Sequence, residues 1–111
     1  MKSLVIIATL ILAAGLHAQS IEAGKRLFEK DGCYECHGHA AQGGRDGPRI
    51  AATGLSLQAL NRYIRRPLGS MPAFTEKVLS DQEVADIYAY LKSFPPAKSV
   101  KEIPLLNKLQ E

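Results

Sequence analysis

The sequence predicts a small all-α domain. Three observations carry that expectation. Apolar residues recur at helical spacing in three separate segments. Each segment opens on a serine able to cap it and closes on glycine or proline. No segment shows the strict apolar–polar alternation of a half-buried strand, and there is no internal repeat. With 111 residues, one small domain is the limit.

The first eighteen residues, MKSLVIIATLILAAGLHA, read as a leader and not as part of the fold. Lys2 supplies the charged start, Leu4 to Leu16 the apolar run and Ala18 a small residue for cleavage. The run is short of the ~20 residues that spanning requires, so a cleaved secretory signal is expected and not a retained anchor. No cysteine follows closely to accept a lipid. The expected organisation is a signal peptide at 1–18, one domain at 19–96 and a tail at 97–111, with the mature protein in the periplasm and no stable membrane insertion.

The spacing predicts a first helix over Ile21 to Lys30, capped by Ser20, with Ile21, Gly24, Leu27 and Phe28 on its apolar side and Gly32 as its stop. Residues 38–54, GHAAQGGRDGPRIAATG, are glycine-rich without periodicity and read as a loop. Ser56 opens a second helix through Arg66, with Leu57, Leu60, Tyr63 and Ile64 on one side and Pro67 ending it. PLGSMPAF, residues 67–74, is a loop stiffened by proline and glycine. Ser80 and Glu83 form a capping box for a third helix that runs to about Phe94, with Val84, Ile87, Tyr88 and Leu91 as its stripe. Pro95 and Pro96 stop it. The tail is polar apart from Ile103 to Leu106.

A domain of this size is thin in core, and this one has no Trp, three Phe and four Tyr. A buried cofactor would help to close it. Charge is informative mainly in its distribution. Arg45, Arg49, Arg62, Arg65, Arg66 and Lys77 stand against only Asp46 and Glu76 between residues 45 and 77. No basic run carries interleaved aromatics, which excludes a nucleic-acid binder of the usual composition.

The chemistry concentrates in GCYECHGH, residues 32–39. Cys33 and Cys36 are the only cysteines, so a disulfide scaffold is excluded. Cys-x-x-Cys-His is the attachment signature of c-type haem. Two thiols three positions apart reach the two vinyl groups on one porphyrin edge, and the next residue, His37, is carried under the iron. A structural zinc site wants four ligands, commonly with a second pair further along, and here four donors crowd into one turn. A dithiol redox couple calls for a βαβ setting that this chain lacks. Haem c, one group bound through Cys33 and Cys36, is therefore the expected cofactor.

An iron held by His37 poses the question of a second axial ligand. Met71 is the only methionine after the leader, on a loop braced by Gly69 and Pro72. A lone methionine is often core filler, but Met/His ligation is the usual cytochrome c pairing, which makes His37 and Met71 the expected metal ligands. His39 follows His37 too closely to reach the other side and reads as a solvated loop histidine. The carbonyl of Pro48 is a candidate acceptor for the second ring nitrogen of His37, fixing its tautomer. One or two of Arg45, Arg49, Arg62 and Arg65 are expected to neutralise the propionates, the others facing an acidic partner.

The chain resembles the class I c-type cytochromes, small monohaem electron carriers. AGKRLFEKDGCYECHG resembles their N-terminal helix and haem motif, GPRI their Gly-Pro turn, GSMPAF their distal-ligand loop and LSDQEVADIYAYLKSF their C-terminal helix. The resemblance covers nearly all of residues 20–94 and implies a cytochrome c-like fold of three to four helices around one haem. It also implies that Gly24 and Phe28 cross Ile87 and Tyr90. The absence of Trp removes a propionate donor that some members use, and the 34 positions between His37 and Met71 suit a compact bacterial type. The expected function is a periplasmic one-electron carrier and not an enzyme, either a free monomer or a dedicated subunit of a dehydrogenase or respiratory complex. Its partners would be a dehydrogenase, a quinol–cytochrome c reductase or a terminal oxidase. An enzyme or gas sensor would need an open iron position.

Overall fold

The computed structural model describes residues 19–109. The expected signal peptide lies outside them. Every regular element among the described residues is helical: α1 (Ile21–Lys30), α2 (Cys33–His37), α3 (Leu57–Arg65), α4 (Asp81–Lys92), a 3-10 turn (Val100–Glu102) and α5 (Pro104–Asn107). No helix among them is long and apolar enough to cross a membrane.

Local sequence chemistry sets the helix starts. The Ser20 side chain accepts from the Ala23 amide to cap α1, and Ser56 does the same for α3 through Ala59. At α4 the Ser80 hydroxyl accepts from the Glu83 amide while the Glu83 carboxylate takes the Ser80 amide, a complete capping box. Two helices stop short of expectation. Arg66 leaves helical geometry at the end of α3, because the following Pro67 disfavours it. Helix α4 closes at Lys92, with Ser93 as its cap, two residues before Phe94.

The core forms where α1 crosses α4. Gly24 is buried there, and a Cβ on it would lie 1.9 Å from the Asp86 carbonyl oxygen and 2.9 Å from the Tyr90 Cβ. Only hydrogen fits. Four residues on, Phe28 meets Tyr90 edge-on, ring centroids 5.5 Å apart, and Tyr90 meets Phe94 the same way at 5.0 Å. Ser20 adds a tie, donating its amide to Asp86 Oδ1 at 2.8 Å. Phe28, Val84, Ile87, Leu91, Leu60, Ile64 and Leu79 complete the buried cluster.

Some expected core positions lie at the rim. Ile21 is 48% exposed and Tyr63 41%, although both share the helical spacing of their apolar stripes. Leu57 and Tyr88 are half-buried. The loop of residues 38–54 contributes more than its composition suggests. Ala41 and Ala51 are buried, and the Ala41 carbonyl accepts from both the Ile50 and Ala51 amides. The loop is fastened to α4 as well: the Ala52 amide donates to the Leu91 carbonyl at 2.7 Å and the Tyr88 hydroxyl to Leu55 at 3.1 Å. The tail, polar apart from Ile103 to Leu106, holds the 3-10 turn and α5, which contact each other and no other helix of the described residues.

Candidate haem site

The site begins at the end of α1. Gly32, at φ 75°, turns the chain into the one-turn helix α2. Within α2, Cys36 stands three positions and His37 four positions after Cys33. Residues at those spacings share one side of a helix, so the two thiols and the imidazole belong to one face. Both cysteines are free, Cys33 half-buried and Cys36 exposed, with no disulfide between them. Burial pushes the Cys33 thiol up to about 11, and the nearby Asp31 carboxylate acts in the same direction.

His37 is the one buried polar side chain of the described residues, 8% exposed. Its Nδ1 lies 2.7 Å from the Pro48 carbonyl oxygen, which leaves Nε2 as the nitrogen free for a further partner. The intervening loop folds back to make this contact. The Gly43 amide donates to the His37 carbonyl at 2.7 Å and the Gly44 amide to the Gly47 carbonyl at 2.9 Å. Gly47 then passes so close that a Cβ there would lie 2.9 Å from the Cys36 carbonyl oxygen and 3.1 Å from His37 Nδ1.

Met71 arrives from a different part of the chain, between α3 and α4. It is half-buried and packs against the same core cluster as Cys33. His39 is exposed and stacks on the Tyr34 ring, centroids 4.6 Å apart, while its carbonyl accepts from the Tyr90 hydroxyl. Among the described residues no group of three or more His, Cys, Asp or Glu side chains is placed to hold a metal ion.

The candidate arginines differ in their commitments. Arg45 is almost fully exposed beside Asp46, and Arg49 donates to the Pro95 carbonyl. Arg65 donates to the carbonyls of Phe74 and Leu79 and to Asp81 Oδ1. Sequence reasoning missed that arrangement and the close approach of Gly47. A Gly-Pro pair is visible in the sequence, but the proximity of Cys36 is not.

Two unpaired thiols on one side of a helical turn, next to a buried imidazole whose second nitrogen is already engaged, fit covalently tethered haem. An all-helical domain of this size with that site defines a small c-type cytochrome. The chain belongs to the family described as cytochrome c oxidase, cbb3-type, subunit III, which matches residues 19–91. It is 31% identical over 86 residues to a cbb3-type cytochrome c oxidase subunit CcoP of Helicobacter pylori (strain 52), covering 70% of this chain and 29% of that protein. It is 36% identical over 50 residues to the menaquinol:cytochrome c reductase cytochrome c subunit of Bacillus subtilis (strain 168), covering 45% of this chain and 20% of that protein. The chain thus spans less than a third of the length of these relatives. No solved structure matches it.

Proposed function

We propose that this chain is a one-electron carrier domain that serves respiratory redox proteins. The observation that carries the reading is the face of α2, where Cys33, Cys36 and the buried His37 stand together with Pro48 on the far nitrogen of the imidazole. When bound, haem supplies the one-electron couple. Cys33 and Cys36 are its two thioether tethers, and Cys36, at the surface, keeps the group at the protein boundary within reach of a partner. His37 is the proximal ligand through Nε2. Pro48 holds the ring in the tautomer that leaves that nitrogen unprotonated. Met71 would be the second iron ligand, and with His37 and Met71 both bound the iron would have no free site for substrate chemistry.

In this reading the domain is residues 19–96, behind a signal peptide at 1–18, and it works in the periplasm. The exposed Arg62, Arg66 and Lys77 face an acidic partner. A second reading, a dedicated subunit of a respiratory complex, is favoured by the names of the relatives, one a subunit of a cbb3-type oxidase and one of a menaquinol:cytochrome c reductase.

The test is the absorption spectrum of the full chain produced with haem-maturation machinery, oxidised and reduced. Colour retained through denaturing electrophoresis and lost in Cys33→Ser/Cys36→Ser supports the tethers. A long-wavelength sulfur-to-iron band in the oxidised protein, abolished by Met71→Ala, supports the distal ligand. A spectrum without that band, unchanged by Met71→Ala, removes Met71 from the site. N-terminal sequencing of the exported protein tests cleavage before Gln19, and co-purification from membranes separates subunit from free carrier.

A further inference from the structure

The loop between α3 and α4 is closed at its base. Immediately before it, the Ile64 carbonyl accepts from the Phe74 amide at 3.1 Å. Arg65, the last residue of α3, donates from Nη1 to the Phe74 carbonyl at 3.1 Å and to the Leu79 carbonyl at 2.6 Å. Its Nη2 reaches Asp81 Oδ1 at 2.7 Å, at the first turn of α4. Phe74 is therefore gripped on both backbone faces by two adjacent residues of α3. One guanidinium also joins the near end of the loop to its far end, across sequence separations of 9, 14 and 16 residues.

Inside that closure the chain has little of its own to hold it. Among the described residues, Gly69 and Ser70 form a turn within the stretch, and no hydrogen bond ties Pro67 through Ala73 to another part of the fold. Met71 lies within this stretch, half-buried against the core. That turn, two prolines, packing against the core and the closed base limit its position. The Arg65 side chain is only 18% exposed, so its charge is set into the fold and is not a free surface charge. A planar guanidinium presents its donors from two terminal nitrogens in a fixed fork, whereas an ammonium offers its three from a single point.

We propose that Arg65 is a positioning residue for Met71: its guanidinium clasps the base of the 66–79 loop and so holds the Met71 thioether where a distal ligand is needed. The inference rests on the ligation reading above and adds the element that makes that ligation rigid. Arg65 acts through backbone carbonyls and does not touch the cofactor itself.

The experiment compares Arg65→Met, Arg65→Lys and Asp81→Asn in the haem-loaded full chain. Val84→Ala serves as a control that weakens the core at a fully buried position on α4. Two readouts are taken: the sulfur-to-iron band with the reduction potential, and hydrogen exchange of the Phe74 amide. Arg65→Met is expected to lose most of the band and lower the potential, because a methionine ligand raises it. It should also accelerate Phe74 exchange at least tenfold, with acceleration confined to the loop. Arg65→Lys should fall in between. Asp81→Asn, which keeps an acceptor and both carbonyl bonds, should retain the band. Val84→Ala should lower the unfolding midpoint without moving either readout. If Arg65→Met leaves the band and potential intact, or moves them no more than Val84→Ala at equal loss of stability, the proposal is overturned. Should the parent protein lack the band altogether, the ligation reading fails by itself. Phe74 exchange then still decides the clasp, which uniform or unchanged exchange in Arg65→Met overturns.

Discussion

Nδ1 of His37 and the carbonyl oxygen of Pro48 lie 2.7 Å apart although they are eleven positions apart in the sequence, and Gly47 is the reason they can meet. A methyl group at position 47 would press on the Cys36 carbonyl and on the imidazole itself. Gly47→Ala should therefore displace the turn and stretch or break the His37–Pro48 bond. A cost of about 1–3 kcal/mol in unfolding free energy is expected. Under the proposed ligation His37 also loses basicity when its far nitrogen loses an acceptor, so the reduction potential should rise. Denaturant unfolding and a redox titration check the two effects, and a variant unchanged in both would show that the approach is slack.

The α1–α4 crossing has no slack at Gly24. The atom in the way of a Cβ there is a backbone oxygen, 1.9 Å off, and it cannot rotate aside. Gly24→Ala must push the two helices apart and loosen the Phe28–Tyr90 contact. Overpacking of this kind costs about 3 kcal/mol. For a domain of this size that is roughly a 12–24 °C fall in the melting midpoint. A thermal melt of the haem-loaded protein gives the answer; a shift of only ~2 °C would mean that the helices separate freely.

In the haem-free chain the two thiols should differ in reactivity. Cys33 is half-buried, and desolvation raises its thiol from 9.0 to about 11, which leaves about a hundredfold less thiolate than an unperturbed thiol at the same pH. In the haem-free chain near pH 8, alkylation should mark the exposed Cys36 first and Cys33 slowly. A folded value above the unfolded one also means that the folded chain holds its proton longer. The stability this contributes is complete below pH 9.0 and is lost as the pH rises from there through about 11. Mass spectrometry after timed alkylation, repeated from pH 8 to 11, tests the order. Equal rates at both cysteines would count against a buried Cys33.

What the sequence revealed and what it hid follow from the range of each interaction. The start of α1, the Ser56 cap and the Ser80–Glu83 box are legible because every partner lies within three residues. The Cys33–Cys36–His37 face is legible for the same reason. Pro48 could be nominated because it follows Gly47 in a turn downstream of the motif. Arg65 is a different case. Its acceptors lie 9 to 16 residues onward, and one arginine among several in a basic segment looks the same whether it faces water or clasps a loop. Ala41 and Ala51 are similar: no periodicity marks a buried alanine in a glycine-rich loop. Ile21 and Tyr63 fail in the opposite direction, since helical spacing identifies a stripe but not where neighbouring helices end.

Asp81 links the clasp to acid stability. Hydrogen bonds from Asn61 at 2.8 Å and then Arg65 at 2.7 Å hold its carboxyl below its ordinary 3.8. A depressed value means that the folded protein keeps the charge to lower pH than the unfolded chain. The stability this adds is present above about 3.8 and disappears as the pH falls through the folded value. Asp81→Asn should be less stable than the parent at neutral pH, and the difference should close below pH 3.8. Denaturant midpoints from pH 7 down to pH 2 supply the test; a gap that stayed constant with pH would assign the effect to packing and not to charge.

The tail offers a clean separation of folding from docking. The 3-10 turn and α5 contact each other but no helix of the haem domain, and Leu105 and Leu109 are more than 70% exposed. Ser99 and Glu102 cap the turn from within, and Asn107 donates to the Lys101 carbonyl, so the segment holds its shape by local bonds. The family match stops at residue 91, before this segment begins. Removing residues 98–111 therefore takes away little that the core needs, since Pro95, the acceptor for Arg49, is retained. The melting midpoint of the haem-loaded protein should move by no more than ~4 °C, equivalent to less than about 1 kcal/mol. If the domain works as a subunit, the same truncation should abolish its co-purification with the complex while leaving its spectrum unchanged. A truncated protein that still co-purifies would place the docking contacts on the haem domain, and one that loses its spectrum would show that the tail supports the core.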